Sequence, residues 1–317
     1  MTQISLALSK SVLYKTYDIS PKIKQIVDSL QQAEQKIQLN GLIGSSLSFV
    51  VQSLFKKTEK PFLIILNDKE EAAYYLNDLE QMIGDEDVLF YPGSYRRPYQ
   101  IEDTDNANVL LRAEVLNRIN SRKKPAIIVT YPEALFEKVV TRKELDKNTL
   151  KVTVGDQISI DFINEVLFEY EFKRVDFITE PGEFSVRGGI VDVFSFSNDN
   201  PYRIEFFGNE VDSIRSFDVE TQLSIEKQKK ITIIPNVENK FFQENRESFL
   251  EYINNQTVLF IQDTDSLFSK LDRLFAKATE IFENLNATVN HVAPNQLFLN
   301  QVEFIKKSLD FSVVELS

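Results

Sequence analysis

The sequence predicts an α/β fold: a parallel-sheet domain assembled from two separated pieces of chain, residues 1–148 and 236–317, flanking an α+β unit of residues 149–235. Three observations predict it. Short apolar runs alternate with helix-period segments up to about residue 148, the pattern of a parallel sheet covered by helices. From Lys151 the pattern changes to period-two runs separated by turn residues. Beyond Ile234-Pro235 the strand–helix alternation resumes.

Residues 1–18 show no dominant period. Ser20-Pro21 has the form of an N-cap followed by proline at the first helical position, and Ile23, Ile26, Val27 and Leu30 continue at helical spacing. Residues 41–48 lead into a helical run through Phe49, Val50, Val51, Leu54 and Phe55. Residues 62–66 read as a buried strand, and Asp68 with Glu71 as a capping box before a helix at 72–82. A strand at 88–91, a polar loop at 92–106 and a helix at 109–119 follow, then a strand at 126–130 and a short helix opened by Pro132.

The middle unit begins with a helix near 162–170 and becomes a strand meander. Runs at 184–186 and 190–196 are separated by Gly188-Gly189, those at 190–196 and 202–207 by a turn cluster, and the last two, 202–207 and 210–217, by Gly208-Asn209. The unit ends near 231–235. In the third piece, 246–253 reads as a helix, 258–261 as a buried strand, and Asp263-Thr264-Asp265 as a turn in which Thr264 and Asp265 cap a helix at 266–285. That helix carries Leu267, Leu271, Leu274 and Phe275 on one stripe, and 288–292 and 311–314 read as strands.

Side chains alternate across a strand, so Tyr202, Ile204 and Phe206 share the core side of the third run, and Arg203, Glu205 and Phe207 share the other. Two readings of that second face are open. Phe207 is covered by the neighbouring hairpin while Arg203 pairs with Glu205, or the arginine and the aromatic stand exposed as a binding pair. On the second reading, truncating Arg203 or Phe207 weakens binding with little loss of stability, and truncating Ile204 does the reverse.

Composition narrows the function classes. The 317 residues include no cysteine, which excludes disulfides and thiol catalysis and suits a reducing, cytoplasmic location. The single histidine, His291, excludes a multi-histidine metal site. No apolar stretch is long enough for a membrane span, and no secretory leader is read at the N-terminus. A net charge of −12 argues against DNA binding by the chain alone, and the short basic runs Lys56-Lys57, Arg122-Lys123-Lys124 and Lys229-Lys230 read as solvated ends and loops. The acid pairs Asp103/Asp105 and Asp263/Asp265 read as a polar loop and a helix cap, not as metal ligands.

Residues 41–48 fit the frame of a phosphate-binding loop, G-x-x-x-x-G-K-[ST], at Gly41, Gly44 and Ser48. Ser46 stands where the second motif glycine belongs, and Leu47 replaces the lysine that neutralises the outer phosphates. The frame alone does not separate a lost nucleotide site from a plain strand–helix turn.

The segments Glu180-Pro181-Gly182-Glu183-Phe184, Arg187-Gly188-Gly189-Ile190-Val191-Asp192, Arg203-Ile204-Glu205-Phe206-Phe207, Asp212-Ser213-Ile214-Arg215 and Phe217-Asp218 resemble the module shared by excision-repair UvrB proteins and the N-termini of bacterial transcription-repair coupling factors. The resemblance is strongest from Phe90 to Pro235 and weakest after 236. It implies a UvrB-like fold with a degenerate phosphate loop and a middle domain that binds UvrA, the damage-recognition ATPase, through Arg187, Arg203 and Phe207. It further implies a non-catalytic, UvrA-recruiting module without a cofactor, and residues 41–48 as a remnant of a nucleotide site. RNA polymerase, double-stranded DNA and a C-terminal domain that masks the UvrA surface would be partners in the longer protein. Tyr91, Tyr95 and Tyr99 lie in a short loop where UvrB-type chains carry a long tyrosine-rich hairpin, which sets the chain nearer the coupling factors. The rivals are a UvrB-like ATPase or helicase fragment, which would need lysine at position 47, and a DNA-binding module.

Overall fold

A computed structural model describes residues 14–94, 99, 106–121, 124–237, 246–285 and 292–316. The strands are, in chain order, β1 (Lys36–Leu39), β2 (Phe62–Ile65), β3 (Val88–Phe90), β4 (Ile127–Thr130), β5 (Val139–Val140), β6 (Leu150–Thr153), β7 (Lys173–Arg174), β8 (Glu183–Arg187), β9 (Ile190–Val193), β10 (Tyr202–Phe207), β11 (Glu210–Phe217), β12 (Ser224–Gln228), β13 (Lys230–Ile233), β14 (Arg246–Glu247), β15 (Val258–Ile261) and β16 (Ser312–Leu316).

The main sheet runs β1-β16-β15-β2-β4-β3 with every neighbouring pair parallel. Strands from the two separated pieces interleave. β15 lies between β16 and β2, with Val258 opposite Phe62 and Ile261 opposite Ile65. β2, β4 and β15 are buried at every position, as four-residue runs of Phe, Leu, Ile, Val and Thr in the middle of a two-sided sheet should be. The helices between them start where their caps dictate. Asp68 accepts from the Glu71 backbone N–H at 2.9 Å ahead of the helix Lys69–Ile83.

The second sheet runs β12-β11-β10-β9-β8-β7 and is antiparallel except for the β7–β8 pair. One face packs on the helix Ile160–Glu169 and the β6–β13 pair, burying Val152, Ile163, Leu167, Val191, Ile204, Val211 and Ile231 together. A smaller cluster of Ile178, Phe194 and Phe217 is buried separately. Phe196 packs against both the main core and this second one.

Several expectations change. The segment 246–253 is not one helix. Arg246–Glu247 pairs with β5, and a short helix, Phe249–Tyr252, starts afterwards because Ser248 and Glu251 form a complete capping box there. The long helix Thr264–Glu283 is capped by Asp263, which accepts from the Ser266 N–H at 2.9 Å; Thr264 and Asp265 are its first two residues. The 190–196 run ends as a strand at Val193, since the Ser195 hydroxyl turns to accept from the Ile234 N–H. The short or polar strands β1, β5, β6, β7, β12 and β14 carried too little apolar period to be read. Tyr91 and Tyr99 lie in the loop after β3, as expected, but their rings are packed: Tyr91 is fully buried and stacks on Phe249, and Tyr99 packs against Phe282 and Phe298. Tyr95, Asp103, Asp105, His291, Arg122-Lys123 and all but Val292 of the expected strand at 288–292 lie outside the described residues.

Candidate functional site

The site grows from one buried carboxylate. The two-residue turn Gly188-Gly189 closes the β8–β9 hairpin with Arg187 opposite Ile190, so Ser185 faces Asp192. Gly188 takes φ +59°, which a side chain would resist. The β9–β10 register then sets Asp192 against Arg203. Asp192 is only 2% exposed. Arg203 binds it in fork geometry, Nε to Oδ1 at 2.7 Å and Nη2 to Oδ2 at 2.8 Å, and Arg187 Nη2 reaches the same Oδ2 at 2.6 Å. The hydrogen bonds to Asp192 raise the Arg203 pKa despite its burial. Two guanidinium groups on one carboxylate leave a net positive cluster whose geometry is fixed before any partner arrives.

Each arginine also lies over an aromatic ring. Arg203 sits 4.4 Å from the centroid of buried Phe217, and Arg187 lies 5.2 Å from that of Phe177. Gln222 accepts a further bond from Arg203 at 3.3 Å. At the end of β10, just before the Gly208 turn (φ +64°), Phe207 stands 83% exposed. The β10–β11 register slips between Glu205 and Phe206, leaving Asp212 as the extra residue of a bulge that twists this hairpin end. Ile204 points the opposite way and is fully buried, so the face assignment made from alternation holds.

The covered-aromatic reading does not survive. Phe207 is uncovered, and Glu205 pairs with Arg215 and Ser213 and not with Arg203. The expectation that truncating Arg203 costs little stability is at odds with its partner, since Asp192 is a buried charge.

The other motif residues shape the same face. Gly182 takes φ +88°, and a Cβ there would lie 2.6 Å from the Phe196 ring. Glu183 accepts from the Thr179 N–H at 2.8 Å, the Thr179 hydroxyl at 3.0 Å and the Glu180 N–H at 3.2 Å, fixing the turn that carries the chain onto β8. Asp218 ties the turn after β11 by accepting from the Thr221 N–H at 2.8 Å. Arg187 and Arg203 therefore meet on Asp192, and Phe207 lies four residues on from Arg203, exposed at the end of the same strand. Sequence reasoning missed the role of Asp192 and the exposed Phe177. The hairpin arithmetic at Gly188-Gly189 places Asp192 opposite Ser185, but the β9–β10 register depends on residues 194–201, for which no local rule exists.

The loop of residues 41–48 is elsewhere, at the start of the helix Ser46–Thr58. Gly41 and Gly44 have φ of +78° and +55°. Leu47 is buried in the main core. Ser48 is buried too and donates to Asp78 Oδ2 at 3.3 Å, while the Tyr75 hydroxyl donates to the Gly44 carbonyl at 3.2 Å. The adjoining cleft, about 240 Å³, is lined by Leu42, Leu47, Tyr75 and Leu316 with Asn67, Gln262 and Asp263, and among the described residues by no lysine or arginine. Among the described residues there is no group of three or more side chains suited to a metal ion, and no helix long and apolar enough to cross a membrane.

Residues 150–239 match the family model of the UvrB interaction domain. The chain is 32% identical over 273 residues to the transcription-repair-coupling factor of Bacillus subtilis, covering 86% of this chain and 22% of that protein. It is 28% identical to the transcription-repair-coupling factor of Myxococcus xanthus, covering 77% of this chain and 21% of the relative. UvrABC system protein B of Clostridium botulinum is 27% identical over 69% of this chain and 35% of its own length. The chain thus spans about a fifth of the length of the coupling-factor relatives it matches.

Proposed function

The chain carries a UvrB interaction domain at residues 150–239 and is homologous to transcription-repair-coupling factors over most of its length, and from this premise we propose that it is their N-terminal, UvrA-recruiting module. The observation that carries the reading is the face on which Arg187 and Arg203 share buried Asp192 beside the exposed Phe207. An exposed aromatic on the strand face that carries a preorganised arginine is the composition of a binding hot spot. The site residues assigned to UvrA are Arg187, Arg203 and Phe207.

The same proposal gives the module no catalytic step and no cofactor. With Leu47 in the core, Ser48 engaged by Asp78 and no lysine or arginine among the described residues lining the adjoining cleft, a β/γ-phosphate would lack the charge that the motif lysine supplies. In the longer protein, RNA polymerase and double-stranded DNA are the further partners, acting in the cytoplasm, and a C-terminal domain covers the UvrA surface until transcription stalls. Covering a surface lowers its apparent affinity by the fraction of molecules that stand open. The units 1–148, 149–235 and 236–317 act as a two-piece scaffold presenting a recruiting domain.

Titration of purified UvrA into this chain and into Phe207→Ala tests the reading. The expected result is loss of about 2 kcal/mol or more of binding free energy at unchanged melting temperature. Equal affinity for the two chains refutes it. The rival, a UvrB-like ATPase or DNA-binding fragment, is tested by the same material: ATP turnover above a buffer blank, or salt-dependent DNA affinity, would favour it.

A further inference from the structure

We propose that Phe177 and the cleft beside it belong to the same partner-binding face and receive an acidic segment of UvrA, an inference that rests on the assignment of UvrA to the Arg187–Arg203–Phe207 face. Phe177 is 64% exposed. Its exposure does not come from a loose loop. The Val175 N–H donates to the Phe184 carbonyl at 2.9 Å, the Ser185 hydroxyl donates to the Asp176 carbonyl at 3.1 Å, and the Thr179 N–H is held by Glu183. Ile178 is buried and Val175 half-buried, both against Phe194 and Phe217, the ring beneath Arg203. The backbone on both sides of Phe177 is thus fixed, and its ring is presented to solvent with the Arg187 guanidinium 5.2 Å from its centroid.

The cleft next to it, about 450 Å³, is lined by Arg174, Val175, Asp176, Phe177, Val186 and Arg187 together with Ser185. Among the described residues, Arg174 makes no ion pair. The charged residues lining the cleft are Arg174 and Arg187 against Asp176, so the cleft itself carries more positive than negative charge on a chain whose net charge is −12. Charge complementarity selects an acidic occupant, and the apolar walls of Val175, Phe177 and Val186 provide contact area for the chain that carries it. An immobilised aromatic supplies such contact at little conformational cost. The two exposed rings, Phe177 and Phe207, then anchor the partner on either side of the arginines.

The experiment titrates purified UvrA into the 317-residue chain and into Phe177→Ala, Arg174→Glu and Phe207→Ala, at low and high salt, with a melting curve for each variant. Phe177→Ala is expected to raise Kd about fivefold or more with its melting temperature unchanged. Arg174→Glu is expected to raise Kd more at low salt than at high salt, because its contribution is a screened charge. If Phe207→Ala weakens binding while Phe177→Ala and Arg174→Glu match the unsubstituted chain at both salts, the inference is overturned and the earlier reading stands. If the unsubstituted chain does not bind UvrA, the reading fails and this inference falls with it.

Discussion

Replacing Arg203 by alanine should unfold the domain more readily as well as weaken its binding, and the size of the first effect follows from Asp192. The substitution removes contacts of 2.7 and 2.8 Å to a carboxylate that is 2% exposed. Breaking a buried ion pair from one side costs about 3–5 kcal/mol when the remaining charge is left alone. Here Arg187 stays on Oδ2 at 2.6 Å, so the carboxylate keeps one of its two cations. Roughly half the penalty, about 2 kcal/mol, is therefore expected, with about 0.5–1 kcal/mol more from the lost guanidinium contact with Phe217. Urea unfolding reads this directly, as a lower midpoint at constant slope. The double variant Arg203→Ala/Asp192→Ala should be less destabilised than the sum of the single variants, because the orphaned charge is gone. An Arg203→Ala chain within about 0.5 kcal/mol of the unsubstituted one, the range of an ordinary surface change, would refute the clamp. The practical consequence is that Phe207→Ala, not Arg203→Ala, is the clean probe of the proposed binding face.

Ile204→Ala, on the opposite side of the same strand, should cost about 2–5 kcal/mol by urea unfolding with affinity per folded molecule preserved, since its side chain is fully buried. Leu47→Lys should not restore nucleotide binding. The leucine points into the core, so the change forfeits about 1.5–3 kcal/mol of burial, and calorimetry with ATP and Mg²⁺ should stay flat. Burial, with Glu169 adding to it, pushes the Tyr170 phenol from 10.0 up to about 12. The folded state thus favours the protonated phenol, and that stabilisation is complete below pH 10 and lost as pH rises towards 12. Alkaline titration of Tyr170→Phe should show a shallower loss of stability across that window, and an identical profile would remove Tyr170 as a contributor.

The sequence by itself determined what short-range chemistry controls. The interior strands β2, β4 and β15, the Asp68 cap, the two glycine turns of the meander and the placement of Ile204 against Arg203 and Phe207 follow from periodicity and from residues a few positions apart. The run of matching segments from Glu180 to Asp218 also marked out the domain that matches the UvrB interaction domain, because those residues set its turns, its buried face and its arginines. Tertiary structure decided the rest. Whether Arg203 met Glu205 or Asp192 hinged on the β9–β10 register, which the irregular connection 194–201 leaves open and only the packing of two strands closes. Leu47 reads as a mere missing lysine until the core is seen to hold it. Phe177 carries no period at all, and its exposure is a property of what fails to pack on it. Periodicity reports which face a residue is on, while ion-pair choice and exposure depend on neighbours far along the chain, and those are fixed only when the sheets assemble.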